Sequence, residues 1–231
     1  MYINNIKVTE ITSFSNCASL KNITLSSSVL SVKEDAFNGC LSLENVYYKE
    51  SIENWCNITF SNQNANPMSY AKHFYMLNDK VYEEVINIEI ISSITRVGDY
   101  QFYGFSNVAS VVLSDNTSSI GNYAFGECES LSSVTIPSSV TTIGEKAFVN
   151  CGSLTIYCES SSESDGWNNA WNYSVSNVYL DASGEVTLNG IIYTYNNVDN
   201  TSSVVGYTNN LPSAVTIQDV ILLKETTYSV M

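Results

Sequence analysis

Basic side chains are scarce in this chain of 231 residues. There are 9 Lys and Arg residues against 23 Asp and Glu residues, which gives a formal net charge of -14. Nucleic-acid binding depends on neutralising phosphates with Lys and Arg, so we expect no nucleic-acid partner. Anionic lipid surfaces attract polybasic segments, so the same scarcity disfavours binding to such a surface.

Long hydrophobic runs are also missing. No window approaches the roughly 20 apolar residues that a membrane helix needs, so we expect no direct membrane insertion. The segment Met1–Asn5 has neither the basic start nor the apolar core of a secretory signal.

The groupings of common active sites are absent as well. His73 is the only histidine, and the six cysteines include no Cys-x-x-Cys pair, so no zinc set is formed. No Gly-x-Ser-x-Gly motif and no Gly-rich phosphate loop occurs. The acidic pairs Glu34-Asp35 and Glu83-Glu84 stand among many solvated acids and do not single out a glycosidase pair. We predict no catalytic residue, no metal, no cofactor and no enzyme activity, and we interpret His73 as a surface helix residue.

What the sequence does contain is a repeat that is marked by five phenylalanines. The markers are Phe14, Phe37, Phe102, Phe125 and Phe148, with spacings of 23, 65, 23 and 23 residues. Apolar residues return at fixed offsets: Leu20, Leu43, Val108, Leu131 and Leu154 six residues on, and Ile23, Val46, Val111 and Val134 nine residues on. Near the second offset they alternate with polar residues, which predicts one short strand per unit. A single strand cannot bury its apolar face, whereas stacked coils pair their strands in parallel and share one core.

The spacing of 65 residues predicts an interruption. It holds a degenerate coil, Val85, Ile88, Ile90, Ile94 and Val97, and an insertion of about 19 residues that we place at about 53–80. In the insertion we predict a short helix capped by Asn66 with Pro67 at its first position, and a hairpin near Asn78-Asp79. We expect one unbroken parallel ladder through residues 23–25, 46–48, 88–90, 111–113, 134–136 and 156–158. Gly121 and Gly144 are expected at tight turns.

These motifs carry a family resemblance. The stretch from Ile120 to Pro137, IGNYAFGECESLSSVTIP, resembles the BspA-type leucine-rich repeats, which are typical of surface and secreted proteins of host-associated bacteria and some protozoa. The segments around Trp55, Asn66, Tyr70 and Phe74 resemble a recurrent insertion of that family, and Tyr157–Glu159 with Gly166-Trp167 and Trp171 resembles a recurrent end. The resemblance covers roughly residues 8–180. It implies an α/β-type or mainly-β solenoid, a right-handed coil with one parallel β-sheet, and an extracellular or cell-surface location. Gln101 in place of Ala departs from the pattern.

We divide the chain into a solenoid at 1–181 and a small β-strand module at 182–231. After Asp181 the repeat stops, and apolar runs at 186–195, 204–207 and 215–221 between Asn- and Gly-rich turns predict strands. We interpret this module as the start of a further unit, and the chain as a fragment of a longer protein.

Four cysteines share one repeat position. Cys17, Cys40, Cys128 and Cys151 stand three residues after a marker, where the coil of Phe102 has Phe105. A position that accepts Phe is interior, and a free Cys behaves as a small apolar residue. We predict that these four cysteines and the five marker phenylalanines are structural and buried, and that the thiols are reduced. A disulfide between Cys56 and Cys158 is left open.

The outward strand positions form the candidate binding surface. By offset they include Asn45, Tyr47, Lys49, Asn87, Glu89, Ser110, Val112, Ser133, Thr135, Thr155 and Tyr157. The resemblance implies that this face is concave and suited to large partners, and Tyr47 and Tyr157 are amphipathic anchors of the kind that interfaces favour. Two alternatives stay open: these residues are simply solvated, or the insertion is the binding element.

Three functions fit these observations. The leading hypothesis is a monomeric, non-enzymatic recognition or adhesion module that binds a protein of a host or neighbouring cell. The second is a glycan-binding module, in which Trp55, Trp167 and Trp171 stack on sugar rings, although Trp167 and Trp171 fit better as a closure of the core. The third is a structural spacer within a larger surface protein.

Overall fold

The computed structural model describes residues 7–175, 177–180, 183–188, 191–196, 201–207, 220–223 and 226–230. Within these ranges the strands are β1 (Glu10–Ile11), β2 (Asn22–Leu25), β3 (Ser31–Val32), β4 (Asn45–Tyr48), β5 (Thr59–Phe60), β6 (His73–Asn78), β7 (Val81–Glu84), β8 (Asn87–Glu89), β9 (Arg96–Val97), β10 (Ser110–Val112), β11 (Ser119–Ile120), β12 (Ser133–Ile136), β13 (Thr142–Ile143), β14 (Thr155–Cys158), β15 (Gly166–Trp167), β16 (Asn177–Tyr179), β17 (Ser183–Leu188), β18 (Ile191–Asn196), β19 (Thr201–Tyr207), β20 (Val220–Leu223) and β21 (Thr226–Val230). The helices are α1 (Ile52–Trp55) and the 3-10 turns Gln63–Ala65 and Pro67–Ser69. None of the helices in the described ranges could cross a membrane.

The chain divides into two compact units. The first comprises Met1–Ile156 and Ser164–Asn177, and the second comprises Tyr157–Glu163 and Val178–Met231. In the second unit five strands form one sheet in the order β17-β18-β19-β21-β20. Of the strand residues predicted there, Val215 and Ile217 lie outside the described residues, and the predicted boundary at 181 stays a prediction.

The first unit is a coil that contributes strands to two faces. The long-strand face contains β2, β4, β6, β8, β10, β12 and the start of β14, and the short-strand face contains β1, β3, β5, β9, β11, β13 and β15. Neighbouring strands within each stack are parallel, with Val46 opposite Ile23 and Val134 opposite Val111. Equivalent strands of successive 23-residue repeats therefore lie side by side and pair in parallel, as the sequence predicts.

The marker phenylalanines stack along the core. The rings of Phe102 and Phe125 lie 5.4 Å apart, as do those of Phe125 and Phe148, and in both pairs the rings are nearly parallel. These three residues and Phe37 are fully buried, and each such burial contributes about 1.5–3 kcal/mol. Phe14 departs from the prediction because it is 38% exposed: it stacks on Phe37 on one side, and no described coil covers the other.

The cysteine position serves as a hydrogen-bond donor inside the core. The thiol of Cys128 donates to the carbonyl oxygen of Phe102 at 3.3 Å, and that of Cys151 donates to Phe125 at 2.9 Å. Cys40 is buried in the same way, but Cys17 is exposed, so its predicted burial is wrong. Cys17 lies in the same uncovered coil as Phe14. All six cysteines are free thiols.

Gly121 is needed for a different reason from the predicted tight turn. Its φ is not in the left-handed region. A Cβ at this position would lie 2.4 Å from the Asp99 carboxylate and 2.5 Å from the Asp99 amide nitrogen. Glycine is required because successive coils approach closely here.

The long stretch between Phe37 and Phe102 contains a complete coil, which corrects the prediction of a single insertion at 53–80. Ala65 occupies the marker position. The Phe37 amide donates to the carbonyl of Asn64, the residue before Ala65, just as the Phe102 amide donates to the carbonyl of Ala124, the residue before the marker Phe125. Met68 and Phe74 follow at the regular offsets and are buried. Asn66 caps the turn that begins at Pro67, as predicted. The extra residues lie at α1 and in the antiparallel hairpin of β6 and β7, which is the predicted hairpin.

The hairpin interrupts the predicted unbroken ladder. On the long-strand face β6 pairs with β4 and β7, and a second stack starts at β8. On the short-strand face the sheet β1-β3-β5 ends and the sheet β9-β11-β13-β15 begins. Trp55 fills the core at this break, with its ring 4.7 Å from Phe74 and 5.9 Å from Phe105. Its indole N–H donates to the Gln101 carbonyl, and the Gln101 amide donates back to the Trp55 carbonyl. Gln101, which stands where the repeat usually has Ala, is thus the hydrogen-bond partner of Trp55.

We predict that Cys17 alone reacts rapidly with a thiol reagent in the native protein. Burial raises the pKa of Cys128 well above its usual value and that of Cys56 to about 12, so little reactive thiolate is present at neutral pH. Labelling with a chromogenic disulfide, followed over time, should show one fast thiol and complete reaction after unfolding. Cys17→Ser should remove the fast phase. A fast phase that persists in this variant would contradict the assignment.

Candidate functional site

Nine of the predicted binding residues face outward on the long strands of the first unit, whereas Lys49 follows the end of β4 and Tyr157 lies in the second unit. None of the eleven is buried, and within β4, β10, β12 and β14 they alternate with buried residues. Short polar residues bond to the same position of the next coil: Asn45 donates to Asn22 at 2.7 Å, and Ser110 donates to Asn87 at 2.6 Å. The face is therefore mostly polar, with hydrogen bonds between neighbouring coils, and binding by its residues stays a prediction.

Two tyrosines contact Tyr47. Tyr75 of β6 lies directly opposite Tyr47 in the parallel register, and their rings stack at 5.1 Å. Tyr82 of β7 meets the Tyr47 ring edge-on at 5.0 Å. All three side chains are half-buried. We call Tyr47, Tyr75 and Tyr82 the tyrosine cluster.

A polar group borders the tyrosine cluster. The Nδ1 atom of His73 lies 2.7 Å from a Glu84 carboxylate oxygen, and the Asn107 amide donates to the same oxygen at 2.9 Å. The hydrogen bond from His73, followed by that from Asn107, holds the pKa of Glu84 below its usual value. His73 begins β6 and lies opposite Asn45, so its interpretation as a surface helix residue is wrong.

Sequence reasoning missed Tyr75, Tyr82 and His73 because the marker of their coil is alanine. Counting ten residues from Ala65 gives Tyr75, just as counting ten from Phe37 gives Tyr47. The apolar Met68, three residues after Ala65 at the cysteine offset, was the available signal in the sequence.

The remaining candidates do not join this surface. Trp55, Trp167 and Trp171 are buried, so their indole rings do not offer a sugar-stacking surface. Trp167 and Trp171 pack on each other at 5.0 Å beside the Phe148 marker, in agreement with a closure of the core. Tyr157 lies in the second unit, where it stacks on Tyr179 at 5.6 Å.

The described residues contain no cluster of three or more His, Cys, Asp and Glu side chains that could hold a metal ion. The acidic pairs are engaged by neighbouring side chains: Asp35 accepts bonds from Asn62 and Asn64, and Glu83 accepts one from Asn78. The outward groups around the tyrosine cluster are aromatic rings, amides and carboxylates.

The comparison with protein families agrees with the fold. A sequence model of the BspA type leucine rich repeat region, in six copies, matches residues 2–93 and 81–186. A leucine rich cell surface protein from Faecalibacterium prausnitzii A2-165 has a solved structure that matches with 19% identity and a TM-score of 0.42 over 88% of this chain and 51% of that one. The chain thus spans about half the length of that protein, and at this TM-score the likeness carries no argument about function. The comparison with curated proteins gave no match.

We predict that Glu84→Gln lowers thermal stability at neutral pH and not in acid. The lowered pKa means that the folded protein favours the carboxylate, so this stabilisation is present above the usual pKa of 4.5 and is lost as the pH falls through the lowered value. The effect should stay below about 1 kcal/mol, the scale of partly exposed pairs. Melting curves from pH 7 to pH 3 measure it. Glu83→Gln, which removes the neighbouring carboxylate without touching His73, is the control, and equal effects of the two variants would contradict the contact.

Proposed function

Because the chain belongs to the BspA-type leucine-rich repeat family, we propose that it is a non-enzymatic recognition module of a cell-surface or secreted protein, which binds a protein partner on its long-strand face. The observation that carries this proposal is the tyrosine cluster. Tyrosine offers large amphipathic contact area and is enriched in the centres of interfaces.

The surroundings of the cluster favour a protein over a glycan. A sugar ring stacks on an exposed aromatic face, whereas Tyr47 and Tyr75 each turn one ring face toward the other and Tyr82 packs on Tyr47 as well. The buried tryptophans provide no substitute. The ring edges and hydroxyls, with the His73–Glu84–Asn107 group beside them, suit a mixed polar and apolar partner surface.

Two array screens test the proposal. The purified chain is applied to an array of host and bacterial surface proteins and to a glycan array. We expect binding to the protein array. Binding to glycans alone would replace the proposal by the glycan-binding alternative, and binding to neither would favour a structural spacer.

Truncation of the cluster should weaken binding to the partner found in the screen. Tyr47→Ala and Tyr75→Ala should each cost roughly 1–3 kcal/mol in affinity, because few residues dominate most interfaces. Tyr173→Ala is the matched control, since this exposed tyrosine lies outside the long-strand face. Calorimetric titration measures the effect. Binding that ignores both cluster variants but is lost when the hairpin tip at 78–81 is replaced by a short turn would assign recognition to the hairpin.

The same titration at several salt concentrations should show electrostatic attraction. The chain carries a net charge of -14, so we expect a basic partner surface. Salt shortens the range of charge interactions from about 8 Å at 0.15 M to about 3 Å at 1 M. Affinity should therefore fall as salt rises, and an affinity that rises with salt would contradict a basic partner.

A further inference from the structure

A cleft of about 480 Å³ opens on the short-strand face between β5 and β9. Ile58 and Phe60 line one side, and Arg96 and Gly98 line the other. The volume lies in the range of ligand pockets, about 300–1,000 Å³. We call this opening the edge cleft.

The edge cleft exists because two coils that touch at one corner separate elsewhere. At the corner Asn66 donates to the Tyr100 carbonyl at 2.9 Å, and a Cβ on Gly104 would lie only 2.4 Å from the Met68 carbonyl oxygen. On the long-strand face the hairpin and β8 lie between the coils of β6 and β10. On the short-strand face β9 follows β8 just as β11 follows β10, but in the described chain no short strand follows β6, which runs into the hairpin instead. The opening there is a strand position that the chain leaves unfilled.

The backbone of both walls is set up for a further strand. Along β5 the amides of Thr59 and Ser61 donate to the carbonyls of Leu30 and Val32, at 2.9 and 3.1 Å. On β9 the carbonyls of Thr95 and Val97 accept from the next coil, at 2.8 and 2.9 Å. Successive peptide groups of a strand point to opposite edges, so those of Phe60 and Arg96 point into the edge cleft. Strand edges with open N–H and C=O groups are templates for strand addition.

The side chains around the edge cleft restrict the occupant. Its lining includes the apolar residues Ile58, Phe60 and Ile94, which are almost fully buried. On the rim Asp99 lies 3.9 Å from the Arg96 guanidinium, whereas the Glu53 carboxylate accepts a bond from the neutral Ser93 hydroxyl. One carboxylate is therefore left without a cation among the described residues. A segment with an apolar inward residue and a neutral or positive charge complements this site.

We propose that the edge cleft binds an extended, neutral or basic peptide segment of a protein partner by strand addition, parallel to β5 and β9. This site is separate from the tyrosine cluster and does not depend on it. Main-chain hydrogen bonds supply affinity in this mode of recognition, and the alternate side chains supply selectivity.

The probe is a capped synthetic peptide with the sequence of residues 139–146, SVTTIGEK. It contains β13, which pairs in parallel with strands on both sides in this protein. NMR titration of the full chain follows binding and amide hydrogen exchange. We expect the Phe60 and Arg96 amides to become protected from exchange on binding. N-methylation of the peptide at Thr142 and Gly144 should weaken binding about tenfold or more, because it removes the main-chain donors.

Matched variants locate the site and test its charge. Thr95→Trp should block the edge cleft, whereas Ser118→Trp places the same bulk at the equivalent position one coil on and should leave binding unchanged. A peptide carrying Glu145→Lys should bind more tightly than one carrying Lys146→Glu. Three results would each overturn the proposal. The N-methylated peptide binds as tightly as the unmodified one, or the protected amides lie at the tyrosine cluster instead. The third is that no binding is seen at about 1 mM peptide, the weak end of measurable affinity.

Discussion

The stacking of a marker phenylalanine on the same residue of the next coil is the contact on which the rest of the structure depends. A strand of two to four residues with one apolar face has too little surface to fold alone, so each coil is stable because its neighbours cover it. The Phe102–Phe125–Phe148 ladder sets the distance between coils, and the cysteine thiols bond within that distance. Phe14 and Cys17 show the converse, because the same residue types are exposed where one neighbour is lacking among the described coils.

Both candidate surfaces arise where this regular stacking is broken. The hairpin of β6 and β7 brings Tyr82 and Glu84 beside the outward residues of the long strands, which builds the tyrosine cluster and its polar border. The same hairpin adds a layer on one face only, and the edge cleft opens on the other. Trp55 and Gln101 hold the core closed between them through two buried hydrogen bonds. An irregularity in the repeat thus creates features that a uniform solenoid does not have.

The chemistry of the chain is compatible with the proposed recognition role. Three of the repeat cysteines are buried and bonded to carbonyls, which withdraws them from the oxidising conditions met by secreted proteins. The acidic excess keeps such a protein soluble and favours basic partners. The described residues hold no group of three or more His, Cys, Asp and Glu side chains that could bind a metal ion.

The periodic apolar residues by themselves determined the coil, the parallel strands, the marker ladder and the outward position of Tyr47, because a core of stacked units can be built only if every unit repeats the same inward residues. The capped turn at Asn66 and the hairpin near Asp79 were equally local and followed from turn chemistry. What the tertiary structure decided was the place of the coil marked by Ala65, whose small side chain hides it from a search for phenylalanine. It also decided the meeting of Tyr47, Tyr75 and Tyr82, and the cleft between β5 and β9, since these depend on how two irregular coils lie against each other. That arrangement is set by contacts between residues far apart in the chain, such as Trp55 with Gln101, which no local pattern encodes.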